Sequence, residues 1–116
     1  MSTYLINHLR IPGGIPNDAS LTYLEQVEAT AKPYGATWLA QGAPDVIEGA
    51  WPDAVVLMVF PDRVSAEAWY NSAEYQSILP LRVNNSISDL VFIDSLPEGF
   101  TVAGFAQQTR AAIAGS

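Results

Sequence analysis

One imidazole, four arginines and a set of aromatic rings carry most of the chemistry open to this chain of 116 residues. His8 is the only histidine, the side-chain type whose ordinary titration range brackets neutrality. In an apolar cavity it would relay a proton as a general acid–base. The plainer alternative is a core histidine hydrogen-bonded to backbone or to a neighbouring tyrosine. Arg10 and Arg82 are each suited to holding a carboxylate or enolate oxygen through paired hydrogen bonds. The competing role for either is a salt bridge to one of the twelve acids. Glu48 follows two apolar residues and precedes Gly49. It could pair with His8 or Arg82 as base or orienter, or be a solvated hairpin residue.

The aromatic residues divide by context. Trp69 lies in a helical pattern and reads as core. Trp38 sits mid-strand, as core or cavity wall. Trp51 sits in a Gly/Pro turn that cannot bury it, so packing over a partner or stacking on a ligand are its two roles. Tyr70 and Tyr75 border a break between two short helices, and each phenol needs a partner if buried.

Composition removes whole classes of function. There is no cysteine, hence no disulfide, thiolate metal site or cysteine nucleophile. With a single histidine, no metal site is expected. Five cations against twelve acids give a net charge of −7, which argues against nucleic acid as a partner. Gly13-Gly14 belongs to no phosphate-loop pattern, and Lys32 is the only lysine, which argues against a Schiff base. Ser72 lacks the Gly-x-Ser-x-Gly context of a nucleophile and reads as a helix cap. No cofactor is expected. No stretch approaches the roughly 18–20 apolar residues of a membrane span, and no signal peptide is visible. A cytoplasmic location without membrane contact is therefore expected. At 49% hydrophobic and 15% charged residues, the chain has the means to bury a core.

The elements that must position these residues follow from periodicity. Tyr4–Ile11 alternates as a strand, ended by Pro12-Gly13-Gly14. A helix capped by Asp18 or Ser20 would carry Leu21, Leu24, Val27 and Ala31 on one face, until Pro33 and Gly35 end it. Ala36–Gln41 reads as a second strand, followed by a short hairpin arm at Val46-Ile47-Glu48. Ala54–Phe60 is apolar on both faces and belongs mid-sheet. Asp62 caps a helix with Val64, Ala68 and Trp69 inward. Ser72 caps another with Tyr75, Ile78 and Leu79, which Pro80 kinks or ends. Asp89–Ser95 is the last core strand.

This order is the split βαβ, ferredoxin-like arrangement: an α+β fold with a four-stranded antiparallel sheet and helices on one face. Alternation on the first strand places Leu5, Asn7, Leu9 and Ile11 toward the helices. Tyr4, Ile6, His8 and Arg10 then face the uncovered side. Apolar residues on that side predict a homodimer with two sheets face to face. Residues 1–96 form this domain. Residues 97–116 are a C-terminal extension, a lid or a partner-contacting segment.

Two segments make a resemblance specific. Glu48-Gly49-Ala50-Trp51-Pro52 precedes the central strand. Trp69-Tyr70-Asn71-Ser72-Ala73-Glu74-Tyr75-Gln76 and Leu79-Pro80-Leu81-Arg82 come after it. The chain resembles the domain of unknown function 1330 family, of the dimeric α/β-barrel superfamily, from about Tyr4 to Ser95. The resemblance implies a ferredoxin-like protomer and a face-to-face dimer, and it raises the standing of Glu48 and Arg82. Three positions depart from the family pattern: Gln41-Gly42-Ala43 replaces an Arg-Gly-Gly-like run, Val59 stands where a Glu is frequent, and Ala73 replaces a proline. The first two remove charge from the sheet and predict a more apolar cavity.

The expected catalytic set is thus His8, Glu48 and Arg82. Tyr4, Arg10, Trp38, Trp51 and Tyr70 are expected to bind substrate. The expected function is a small cofactor-independent enzyme acting by proton transfer on a mostly apolar carbonyl compound, through isomerisation, cyclisation or dehydration, with cofactor-free oxygenation as a variant. The alternatives are a homodimer that binds a hydrophobic small molecule without converting it, and a dimer whose interface leaves no cavity.

Overall fold

The computed structural model describes residues 1–116. In chain order the elements are β1 (Thr3–Arg10), α1 (Asp18–Ala31), a 3-10 turn (Lys32–Tyr34), β2 (Thr37–Gly42), β3 (Ala54–Phe60), α2 (Arg63–Tyr70), α3 (Ala73–Val83), β4 (Ile87–Asp94) and α4 (Val102–Ala114). The strands form one antiparallel sheet in the order β2-β3-β1-β4. This is the ferredoxin-like architecture that the pattern of elements predicts. No helix is long and apolar enough to cross a membrane.

Helices α1, α2 and α3 cover one face of the sheet. Leu5, Val56, Met58 and Phe60 meet Tyr23, Val27, Trp69, Tyr75 and Ile78 there, and all are buried. Aromatic contacts dominate: Trp69 lies 4.1 Å from Tyr75 and 5.4 Å from Phe60, ring centre to ring centre. The Trp69 indole N–H is answered by the Thr30 hydroxyl at 3.0 Å. Gly35 adopts φ +79°, and a Cβ there would stand 3.0 Å from Pro61. Only glycine lets the end of the 3-10 turn pass so close to the start of α2.

The helix faces differ from expectation in two places. Asn17, not Asp18 or Ser20, caps α1: its backbone is extended and its side chain accepts from the Ser20 N–H at 2.9 Å. The buried stripe is Ser20, Tyr23, Val27 and Ala31, while Leu21 is 44% exposed. Leu21 lies six residues from Val27, about 120° around the helix. In α2 the inward pair is Ala66 and Trp69, and Val64 and Ala68 are exposed. Trp69 fixes that face, and Ala66, three residues earlier, shares it. The Asp62 and Ser72 caps are as expected, accepting from Ser65 N–H at 2.7 Å and Tyr75 N–H at 3.2 Å.

Pro80 does not end α3; the helix runs through it to Val83. Val46–Glu48 forms no hairpin strand, and residues 43–53 are an irregular connection.

The other face of the sheet has no helix over it. Register places Ile6 between Leu57 and Val91, Tyr4 between Val59 and Ile93, and His8 between Val55 and Asp89. Val91 and Ile93 are 52% and 54% exposed. The protomer exposes 7654 Å², where a compact chain of this mass would expose about 6,200 Å².

Candidate functional site

Alternation along β1 puts its side chains on two sides, as the sequence predicts, and this divides the candidate residues. His8, Arg10 and Tyr4 point to the open face. There His8 is fully engaged. Arg10 Nη1 donates to His8 Nδ1 at 2.8 Å, so the opposite nitrogen carries the proton, and Nε2–H donates to the Pro52 carbonyl at 2.8 Å. The second Arg10 nitrogen pairs with Asp89 at 2.6 Å. Trp51 lies over the imidazole at 4.3 Å between ring centres, and its indole N–H reaches the Ala54 carbonyl at 3.2 Å. Asp53 holds the Ile11 N–H at 2.8 Å. Together these bonds tie the residue 43–53 connection to the end of β1. They leave the imidazole no free nitrogen.

Arg82 lies on the other side of the sheet, in α3 among the helices. The expected convergence of His8, Glu48 and Arg82 on one cavity is therefore corrected. The sheet separates His8 from Arg82, because His8 belongs to the outward set of β1 and Arg82 to the inward face of α3. Glu48 is exposed in the connection and joins none of the ion pairs.

Around Arg82 the structure closes a pocket between the sheet and α1–α3. Its apolar walls include Leu5, Val27, Trp38, Val56, Met58 and Trp69. The cavity is about 50 Å³, room for a few water molecules at roughly 10–15 Å³ each. Four buried polar atoms on this side have no hydrogen-bond partner: Asn7 Oδ1, Ser20 Oγ, Arg82 Nε and Ser88 Oγ. Asn7, Ser20 and Arg82 line the pocket. Buried groups of this kind are ordinarily paired. Arg82 is only 6% exposed, and no carboxylate pairs with it. Its guanidinium carbon stands 5.8 Å from the centre of the Tyr23 ring.

The phenols of Tyr23 and Tyr75 are bonded to each other at 2.8 Å beside Arg82. Burial, then the Tyr75 phenol, pushes Tyr23 well above the ordinary tyrosine range. Burial opposes the Arg82 charge, but Tyr75 and Tyr23 beside it outweigh that, and the guanidinium is held above its usual range. The pocket thus carries a positive charge beside the Tyr23–Tyr75 phenol pair. That arrangement can accept a carboxylate or an oxyanion. No three carboxylate or imidazole groups converge anywhere to hold a metal.

The remaining candidates also find places. Trp38 is a half-buried wall of the pocket. Tyr70 is outside it, half-buried beside Tyr75 at 5.5 Å, and its carbonyl accepts from Gln76 at 2.6 Å. Asn7, Ser20, Tyr23 and Trp69 line the pocket although no binding role was expected for them. Asn7 carried a signal: it is the polar member of the Leu5, Asn7, Leu9 and Ile11 set that alternation turns toward the helices. Ser20 and Tyr23 share a stripe with Val27 and Ala31, which the more apolar Leu21 and Leu24 mask in the sequence.

Comparison with known proteins places this geometry in a family. The protein of unknown function RPA0582 from Rhodopseudomonas palustris superposes with a TM-score of 0.66 at 14% identity, over 83% of each chain. A dimeric ferredoxin-like protein of unknown function from Thermobifida fusca gives 0.61 at 16% identity, over 82% of this chain and 92% of that one. SnoaB, a cofactor-independent oxygenase from Streptomyces nogalater, gives 0.56 at 8% identity, over 86% and 97%. At these identities the likeness is one of fold. A search of curated proteins finds no match. The model of the domain of unknown function DUF1330 matches residues 2–96, and the chain belongs to that family.

Proposed function

We propose that this chain binds a small, mostly apolar carboxylate or already ionised enolate in the helix-side pocket, and that as an enzyme it acts without a cofactor on that bound anion, the α-proton having left to water before binding. The observation that carries this reading is Arg82: a buried cation with no carboxylate partner and an unsatisfied Nε, in a pocket with apolar walls. Leaving such a charge unpaired is costly, and an oxyanion supplied by a ligand would offset the cost. Arg82 would hold that oxygen, Asn7 and Ser20 would orient the compound, and Trp38 and Trp69 would exclude water. The fold is shared with a cofactor-independent oxygenase, which is consistent with this chemistry.

A homodimer is part of the proposal. Two open faces packed together would hide Ile6, Leu57, Val91 and Ile93, and relatives of this fold are described as dimeric. His8 then serves as a strut beneath Trp51 and not as a catalyst. A second reading is binding without turnover. It is favoured by the pocket's lining, which contains no carboxylate and no imidazole to act as a base.

The test is a panel of short alkyl carboxylates and small enolisable ketones, sized to a cavity of about 50 Å³, followed by tryptophan fluorescence with the wild type, Arg82→Met and Arg82→Lys. Binding should weaken about thirtyfold or more in Arg82→Met, with partial recovery in Arg82→Lys. Mass spectrometry of the bound compounds separates turnover from binding alone. Equal affinity in the wild type and Arg82→Met would remove the pocket's anchor and the proposal with it.

A further inference from the structure

The family match ends at residue 96, and the helix α4 lies beyond it. Thr101 caps α4 by accepting from the Gly104 N–H at 3.0 Å, and the helix then runs thirteen residues to Ala114. That is about 20 Å of helix. None of its residues is buried. Val102, Phe105 and Ile113 fall on one side of it and are 77%, 57% and 69% exposed. The Phe105 ring stands 6.4 Å from that of Phe100, centre to centre. A lone helix of this length is marginal in water, so this one needs a surface to lie on. Its own domain does not provide one: the radius of gyration is 17.2 Å, against roughly 13 Å for a compact chain of this length.

We infer that α4 is an exchanged arm that docks on the second copy of this chain. Charge favours that partner. All twelve acids lie at or before Glu98, so residues 1–98 carry four cations and twelve acids, a net −8, while the arm carries Arg110 and no acid. A second copy therefore offers an acidic domain to an arm of opposite sign. Area favours it as well. The protomer's excess over a compact monomer is about 1,500 Å², the scale that each partner gives up in an obligate homodimer. The open sheet face and the arm are the two apolar surfaces that would share it.

The inference rests on the homodimer proposed above, and one experiment separates the two. A photo-cross-linking residue replaces Phe105 in the full-length chain, light and heavy-isotope protein are mixed until subunits exchange, and the cross-linked peptides are read by mass spectrometry. Peptide pairs of mixed isotope are expected. Pairs of a single isotope only, from protein that sediments as a dimer, would show the arm folded on its own protomer and overturn this inference alone. Protein that sediments as a monomer would overturn the dimer and the arm together, and a dimer without cross-links would leave the arm free in solvent and overturn it too. Removing residues 97–116 should weaken the dimer at least about tenfold in Kd. Arg110→Glu should weaken it less, with the difference shrinking as salt is added. An unchanged Kd in the truncated chain counts against the arm.

Discussion

On the open face of the sheet the charged and imidazole groups answer one another. His8 has Arg10 on one nitrogen and the Pro52 carbonyl on the other, and Arg10 has Asp89. On the covered face the situation is reversed. Asn7, Ser20, Ser88 and Arg82 each keep a buried polar atom with no partner. The contrast separates structural polar groups from reactive ones. A polar group saturated within its own protomer is holding structure, and a buried one left unsatisfied has capacity to spare for a ligand. By that criterion the open face, with its saturated histidine and arginine, fits the proposed assembly surface, and the face sealed by helices holds the pocket.

The two faces should respond differently when one aromatic or aliphatic side chain is truncated on each. Trp69→Ala should cost about 3–5 kcal/mol of folding stability, because the indole is buried against Phe60 and Tyr75. Val91→Ala, in a strand of the same sheet but half-exposed on the open side, should cost the protomer under about 1 kcal/mol and act instead on the dimer. Urea titration at two protein concentrations measures both. A concentration-dependent midpoint shift is expected for Val91→Ala and not for Trp69→Ala. Equal losses of protomer stability would erase the distinction between the faces.

Arg82 gives a test of opposite sign. Arg82→Met removes a buried charge that no carboxylate pairs, and fills similar space with an apolar chain. Thermal unfolding in the absence of ligand should show no loss, and at most a gain of about 1 kcal/mol, because the Tyr75 and Tyr23 phenols already offset the burial of the charge. A residue that stabilises the fold would instead produce a loss on substitution. His8→Ala should cost about 0.5–1.5 kcal/mol for the bonds to Pro52 and Arg10. It should leave ligand affinity in the pocket within about twofold. Loss of binding in His8→Ala would move the site to the open face.

How much of this was legible in the sequence depends on what each residue answers to. The strands, their alternation and the caps at Asp62 and Ser72 were readable because local spacing decides them. The sorting of β1 was readable for the same reason, and it already placed Asn7 against the helices. The failure of His8, Glu48 and Arg82 to converge was readable too: Arg82 follows Ile78 by four residues and Tyr75 by seven, on the one buried stripe of α3, so it goes to the helix side while alternation sends His8 to the other. The pocket's α1 wall was hidden. Val27 and Ala31 extend backward either through Leu24 and Leu21 or through Tyr23 and Ser20, and packing buries the second stripe.

A weaker response is expected at the sheet's far end, where acid should separate the two regions. The Thr3 hydroxyl at 2.7 Å, then Arg63 at 3.2 Å, holds the Asp94 carboxyl below its ordinary range. The Ser65 N–H, capped from Asp62, does the same for the Asp62 carboxyl. Both groups bind protons less readily when folded than when unfolded. Their contribution is therefore complete above the unfolded carboxylate pKa of about 4 and is lost as pH falls through the lower folded values. Arg82 and Tyr23 keep their charge states throughout that range, since both are held above their usual values. Acid should thus loosen the clasp between β1, β4 and α2 while leaving the pocket's electrostatics intact. Urea midpoints measured from pH 6 down to pH 2 should fall less steeply in Asp94→Asn than in the wild type. Parallel curves would mean that Asp94 is free of Thr3 and Arg63 in solution, and that the acid response arises elsewhere in the fold.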